Sequence, residues 1–446
     1  MMQKRTISRK TFIRQSSLQL AGLSLLSNKL MADTSILFPN KEENMEHTPY
    51  TLYNVLMETG FHYADGEVRG TKTALFAVDI AEGKIQAIRP QSAKETGVDM
   101  QGLLLLPAFK DMHIHLDKTF YGAPWRAVKA RKNGIKGMIA LEQDILPEML
   151  ETSTEKAEKL IELLQSKGST FARSHVNIEP TSGLRSLKNL QKALSHKKES
   201  FGAELVAFPQ HGVYYTESAG YLKEAAQMDI DFIGGLDPYT LDGAIEKTMD
   251  FTVQLALDYK KGIDIHLHET GESGLKTVEY LIAKVLENPI LKGKTFLSHC
   301  FILSRLEERQ CIEIAEKLAE AEIGIISTVP LGKLTMPLPT LMERGVRVLT
   351  GNDSIIDHWN TYGTGSVLQK ANLAAQLYGH STEYELSRML KLANVDVLPL
   401  DNHGSLQWPK PGDTADLAFL YASCSAEAVS RTAAVKSLIY KGNRVF

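Results

Sequence analysis

Leu103-Leu104-Leu105-Leu106-Pro107-Ala108-Phe109-Lys110-Asp111-Met112-His113-Ile114-His115 begins as an unbroken apolar run and ends on two histidines one residue apart. A compact apolar run of this kind reads as a buried strand, here Leu103 to Ile114. In extended backbone, side chains two residues apart point to the same side, so both imidazoles can grip one ion. Seven more compact apolar runs follow, each trailed by a longer helical pattern: Thr170 to Val176, Glu204 to Pro209, Asp231 to Leu236, Ile263 to Leu267, Thr295 to His299, Ile323 to Thr328 and Val346 to Thr350. Strands alternating with helices eight times over predict an α/β fold, a closed (β/α)8 TIM barrel over residues 108–398. An open, doubly wound sheet is the alternative; no GxGxxG turn follows the first strand to support it.

Outside the barrel the pattern changes. From Tyr50 the chain shows short alternating runs broken by Asp65-Gly66, Glu82-Gly83 and Gly97, which is strand-and-turn chemistry. The end of the chain does the same, with Ala415 to Leu420 after Pro411-Gly412-Asp413 and a last run from Val435 to Ile439. Residues 50–107 and 399–446 are therefore expected to form one composite β-sandwich domain from both ends of the chain.

A barrel places its chemistry at the C-terminal ends of its strands, and the metal-capable side chains fall there repeatedly. His113 and His115 end the first expected strand, His266 the fifth with Glu269 three residues on, and His299 the sixth; Asp353 follows the eighth. Unrelated core histidines would not be spaced in this way, so a catalytic metal site is expected. The three cysteines, Cys300, Cys311 and Cys424, are far apart with no CxxC pair, which leaves histidine and carboxylate to hold the metal.

These positions resemble the amidohydrolase superfamily, and more narrowly its cytosine deaminase branch. The narrower match is carried by His113-Ile114-His115-Leu116-Asp117, Ala207-Phe208-Pro209-Gln210, Ile265-His266-Leu267-His268-Glu269, Ser298-His299 and Gly351-Asn352-Asp353 with Trp359 beyond. Asp117-Lys118-Thr119-Phe120, Gly234-Gly235-Leu236-Asp237-Pro238 and Thr335-Met336-Pro337 resemble N-isopropylammelide hydrolase of the same branch. The resemblance implies one divalent ion, Zn2+ or Fe2+, on His113, His115, His266 and Asp353. It implies Glu269 as proton shuttle, and His299 and Asp353 as the groups that orient a metal-activated hydroxide and take its proton. The expected reaction is removal of an amino group from a cytosine-like pyrimidine, purine, pterin or triazine. Cleavage of a cyclic amide or another C–N bond on the same metal is the alternative, and a scaffold that has lost catalysis is a third reading.

For substrate contact the expected residues are Gln210, whose amide offers a donor and an acceptor together, Trp359 as an aromatic wall, Ser354 and His268. Ser354 departs from the second aspartate that cytosine deaminases carry after the metal aspartate, which leaves room for a bulkier ring or an alkylated amine. His175 and His211 are also expected near the mouth.

Lys+Arg 50 against Asp+Glu 53 gives a formal charge of −3, so no field gathers nucleic acid, and a small molecule is the expected partner. Homo-oligomerisation is left open. Lys4, Arg5, Arg9, Lys10 and Arg14 precede a short apolar run from Leu18 to Leu26, the layout of an export signal over residues 1–33, with a linker over 34–49. The run is about half the ~20 residues of a spanning helix, so stable membrane insertion is not expected. Ser8-Arg9-Lys10-Thr11-Phe12 resembles a twin-arginine signal with Lys10 in place of the second arginine, which implies a periplasmic location; a cytoplasmic protein with a basic tail is the alternative.

Overall fold

The computed structural model describes residue 36, residues 49–130 and residues 132–446. The expected export signal and most of the expected linker lie outside the described residues.

Two sheets organise the chain. The first takes β1 (Tyr50–Ala64), β2 (Glu67–Ala81), β3 (Lys84–Pro90), β4 (Val98–Asp99) and β5 (Leu104–Pro107) from one side of the sequence. From the other it takes β14 (Leu417–Leu420), β15 (Val435–Tyr440) and β16 (Asn443–Arg444). Its order is β16-β15-β14-β5-β1-β2-β3, with β4 beside β1, so the two ends of the chain meet where β5 pairs antiparallel with β14. The turn signals act as read. Asp65-Gly66 links β1 to β2 with both residues at positive φ, 54° and 81°, the two-residue turn whose twist matches a hairpin.

The second sheet consists of β6 (Phe109–Ile114), β7 (Ser169–Asn177), β8 (Gly202–Phe208), β9 (Phe232–Leu236), β10 (Gly262–His266), β11 (Thr295–Ser298), β12 (Ile323–Ser327) and β13 (Val348–Thr350). All neighbours are parallel and the order is the order of the sequence. A parallel bridge from Asp353 to Ile114 returns the chain after β13 to β6, and Asp353 N–H donates to the His113 carbonyl at 2.7 Å. The strand order never reverses, which sets the doubly wound alternative aside in favour of the (β/α)8 barrel. Helices lie between the strands and cover the outer face, with residues such as Leu160, Leu164, Leu187, Met249, Val278 and Leu318 buried in one large apolar cluster. Inside the barrel, Met112, Val206, Phe232, Phe296, Ile326 and Leu349 form a smaller cluster, each from a different strand. The Arg173 guanidinium lies among them, 4.0 Å from the Phe232 ring and 4.3 Å from that of Phe296, paired to Glu204 and Asp264.

The run Leu103 to Ile114 is corrected by the structure: it is two strands, β5 in the first sheet and β6 in the barrel. Both halves are buried, so hydrophobicity does not mark the break; it falls at Pro107-Ala108, where proline has no N–H for a continuing ladder. No helix among the described residues is long and apolar enough to cross a membrane.

Candidate metal centre and active site

The barrel gathers the metal-capable side chains at one end. His113 and His115 at the close of β6, His266 at the end of β10 and His299 just past β11 are all buried. Ring centroids are 4.6 Å apart for His113 and His266, 4.8 Å for His113 and His299, and 5.4 Å for His115 and His266. Asp353 completes the group, its Oδ1 3.4 Å from His115 Nε2 and 3.6 Å from His113 Nε2, its Oδ2 3.9 Å from His299 Nε2.

The backbone is bent to achieve this. Asp353 and His299 hold φ at 65° and 66°, left-handed values that cost an ordinary residue on the order of 1–3 kcal/mol and collect at functional sites. Gly351 lies directly on β6: a Cβ there would run into the backbone N and O of His113. That close approach lets the last barrel segment deliver Asp353 to the two histidines.

The electrostatics suit a cation. Burial, with the Lys118 cation behind it, lowers His115 to about 4. Burial and the neighbouring imidazoles push His266 and His299 well below the ordinary histidine range. These rings are therefore neutral, with lone pairs to give. Burial opposes ionisation of Asp353, but the imidazoles of His113, His115 and His299 around it outweigh burial and hold the carboxyl well below its usual value. His113 Nε2, His115 Nδ1 and both ring nitrogens of His266 and His299 are buried without a hydrogen-bond partner. Each such orphan costs about 1–3 kcal/mol, and a divalent ion would satisfy several at once. The residues present fit a metal. His113 is also aimed: its Nδ1 meets Ser298 Oγ at 2.8 Å, and Ser298 Oγ donates to Asp264 at 2.7 Å.

A cavity of about 670 Å³ opens above this cluster, and Gln210, Trp359, Ser354 and His268 all line it beside His115, His266, His299 and Asp353. His268 is held by Asp237, which accepts from its backbone N–H at 2.6 Å and faces its Nδ1 at 3.0 Å. Glu269 sits between His268 and Thr270, which both line the cavity. Its Oε1 accepts the Thr240 N–H at 2.8 Å, while its Oε2 is buried with no partner. Two expectations are corrected. His175 and His211 do not line the cavity; both are fully buried, His175 against the His113 ring and His211 between Glu142 and Glu179.

Sequence reading missed the polar network behind the cavity. Glu142, in the helix Gly134–Leu150, is fully buried and accepts from Lys118 at 3.2 Å, Asn177 at 3.0 Å, His211 at 3.2 Å and Trp359 Nε1 at 3.2 Å, with the His358 ring 3.5 Å away. Burial alone would raise its carboxyl, but the Lys118 charge and the neighbouring His358 and His211 rings outweigh burial and hold it well below the usual range. Lys118 reaches on to Gln210 Oε1 at 2.5 Å. The one available signal was Lys118 itself, a charged residue three positions beyond the second histidine on an otherwise buried segment.

The sequence profile of the Amidohydrolase family matches residues 129–446. The chain belongs to the amidohydrolase family. This amidohydrolase is 46% identical over 454 residues, 99% of each chain, to the YahJ protein of Escherichia coli (strain K12), which carries no assigned activity. It is similar to the crystal structure of N-isopropylammelide isopropylaminohydrolase from Burkholderia multivorans, with a TM-score of 0.76, 25% identity, and coverage of 89% of this chain and 98% of that one. It also shares its fold with 5-methylcytosine deaminase from Klebsiella pneumoniae, with a TM-score of 0.73, 24% identity, and coverage of 89% and 97%. The amidohydrolase is thus an enzyme acting on C–N bonds, and its own parallel barrel carries a histidine cluster at one end.

Proposed function

We propose that this amidohydrolase releases ammonia or an alkylamine from an amino-substituted N-heterocycle, using one divalent ion, Zn2+ or Fe2+, held by His113, His115, His266 and Asp353. The observation that carries the reading is the set of buried, partnerless imidazole nitrogens on the floor of a cavity that also presents an indole and an amide. A bound ion of this type supplies Lewis acidity and lowers the pKa of a water from ~15.7 toward ~7.

The protein's own groups do the rest. Asp353 and His299 face each other at 3.9 Å across the floor of the cavity, where they orient the attacking water and take its proton. Glu269 moves protons: Thr240 N–H fixes one carboxylate oxygen, and the partnerless Oε2 is left to protonate the ring nitrogen and then the departing amine. The Trp359 indole, tied to Glu142 through Nε1, gives a flat ring a fixed face to stack on. Ser354, buried at the wall, leaves more space than a carboxylate would, which suits a substituted ring or amine.

The test is ammonia or alkylamine release by the purified, metal-analysed protein from cytosine, isoguanine, pterin, ammelide and N-alkylammelides. Release that is lost with chelator and restored by Zn2+ or Fe2+ is expected. Silence on every ring from a protein carrying one equivalent of metal would reject deamination and turn attention to cyclic amides.

A further inference from the structure

Gln210 lines the cavity, and the network behind it decides which end of its amide faces inward. Lys118 is 1% exposed and its ammonium lies 2.5 Å from Gln210 Oε1 and 3.2 Å from Glu142 Oε1. An ammonium only donates, so the group that meets it must be the amide carbonyl; chemistry fixes the assignment of oxygen and nitrogen. Glu142 cannot release the lysine to another role, since its second oxygen is already taken by His211 and Trp359. What Gln210 has left is its NH2, which meets no protein acceptor among the described residues. The expectation that Gln210 reads a C=O/N–H edge with donor and acceptor together therefore does not match this geometry.

We propose that Lys118 is a positioning residue that locks Gln210 as a pure donor, so that the substrate edge facing it carries a carbonyl oxygen and not a second amino group. The inference rests on the heterocycle deaminase reading and narrows it to oxo-amino rings. A diamino ring would set NH2 against NH2 and leave both unpaired in a closed site, where sites built around one hydrogen bond reject the mismatched partner strongly.

Matched rings that differ only by oxo against amino test this on the metal-loaded full chain: cytosine and 2,4-diaminopyrimidine, isoguanine and 2,6-diaminopurine, ammelide and ammeline. The wild-type protein should favour the oxo member by at least about tenfold in kcat/KM for ammonia release. Gln210→Glu keeps an oxygen for Lys118 and every partner of Glu142, but turns an acceptor toward the cavity, so the oxo-to-amino ratio should fall by tenfold or more. Lys118→Met frees the amide to rotate and should bring the ratio toward one with metal content unchanged; a merely structural lysine would depress both rings alike and leave the ratio where it was. If Lys118→Met does not fold, Gln210→Glu alone decides. Equal turnover of both rings by the wild-type protein, or an unmoved ratio in Gln210→Glu, overturns the inference while leaving deamination standing. Silence on all six rings removes the deaminase reading and this inference with it.

Discussion

Ser298→Ala should weaken metal binding without touching a ligand. Ser298 Oγ gives its single proton to Asp264 at 2.7 Å, so toward His113 Nδ1, 2.8 Å away, it can only accept. Nδ1 therefore carries the ring proton and Nε2 the lone pair, which points to where Asp353 Oδ1 lies 3.6 Å off. Alanine removes the acceptor, leaves a buried N–H unsatisfied and lets the ring turn or change tautomer. Asp264 keeps Arg173 at 3.1 Å, so the barrel interior stays paired and the fold should survive. Outer groups that aim a ligand are worth about 10- to 100-fold in metal affinity, which converts to about 1.4–2.7 kcal/mol. Competition with a chromophoric chelator measures the Zn2+ dissociation constant directly. The expected result is an affinity lowered within that range and activity regained at saturating metal. An unchanged dissociation constant would refute the orienting role of the Ser298–Asp264 pair.

Three further outcomes are expected. Glu269→Gln should keep its metal, by elemental analysis, while kcat falls by about 10²-fold or more; ordinary turnover would remove the proton shuttle. His211 is raised to about 9 because Glu142 and Glu179 on either side outweigh the burial that opposes its charge. The folded protein thus holds a proton that the unfolded chain gives up near ~6.5, so this stabilisation is full below that pH and is lost as pH rises through 9. His211→Gln should lower Tm at pH 6, by a stability loss on the order of 1–3 kcal/mol, and flatten the fall in Tm from pH 6.5 to 9; a slope parallel to wild type would count against the pairing. Ser354→Asp places a carboxylate near Asp357, whose own carboxyl burial already raises, and should shift substrate ranking toward small unsubstituted amines; the ammonia assay across N-alkylammelides reads this, and an unaltered ranking disproves it.

The barrel was legible because its parallel strands, buried on both faces, read as compact apolar runs, and the metal-capable residues fall at or just past the C-terminal ends of several of them. His113, His115, His266, His299 and Asp353 could be picked out for that reason alone. Pro107 marked a break inside one apolar run and was not enough to show that the two halves join different sheets. Glu142 was illegible on other grounds: within its helix it looks like any solvated glutamate, and its partners Lys118, Asn177, His211 and Trp359 come from four separate loops or strand ends. Only barrel closure brings them together. The orientation of Gln210 follows from that network, so it too was out of reach of spacing.

The pairing of β5 with β14 has a consequence for how the chain is made. Pro107 lies opposite Leu417, so a strand synthesised early must wait for one of the last segments to leave the ribosome. Until then the edge of β5 stands open, and an open strand edge recruits other chains. Loss of the last thirty or so residues, by truncation or by a premature stop, would therefore leave a nascent protein whose barrel sequence is intact and whose first sheet is unfinished. Such a chain should accumulate as aggregate instead of as a weakened enzyme.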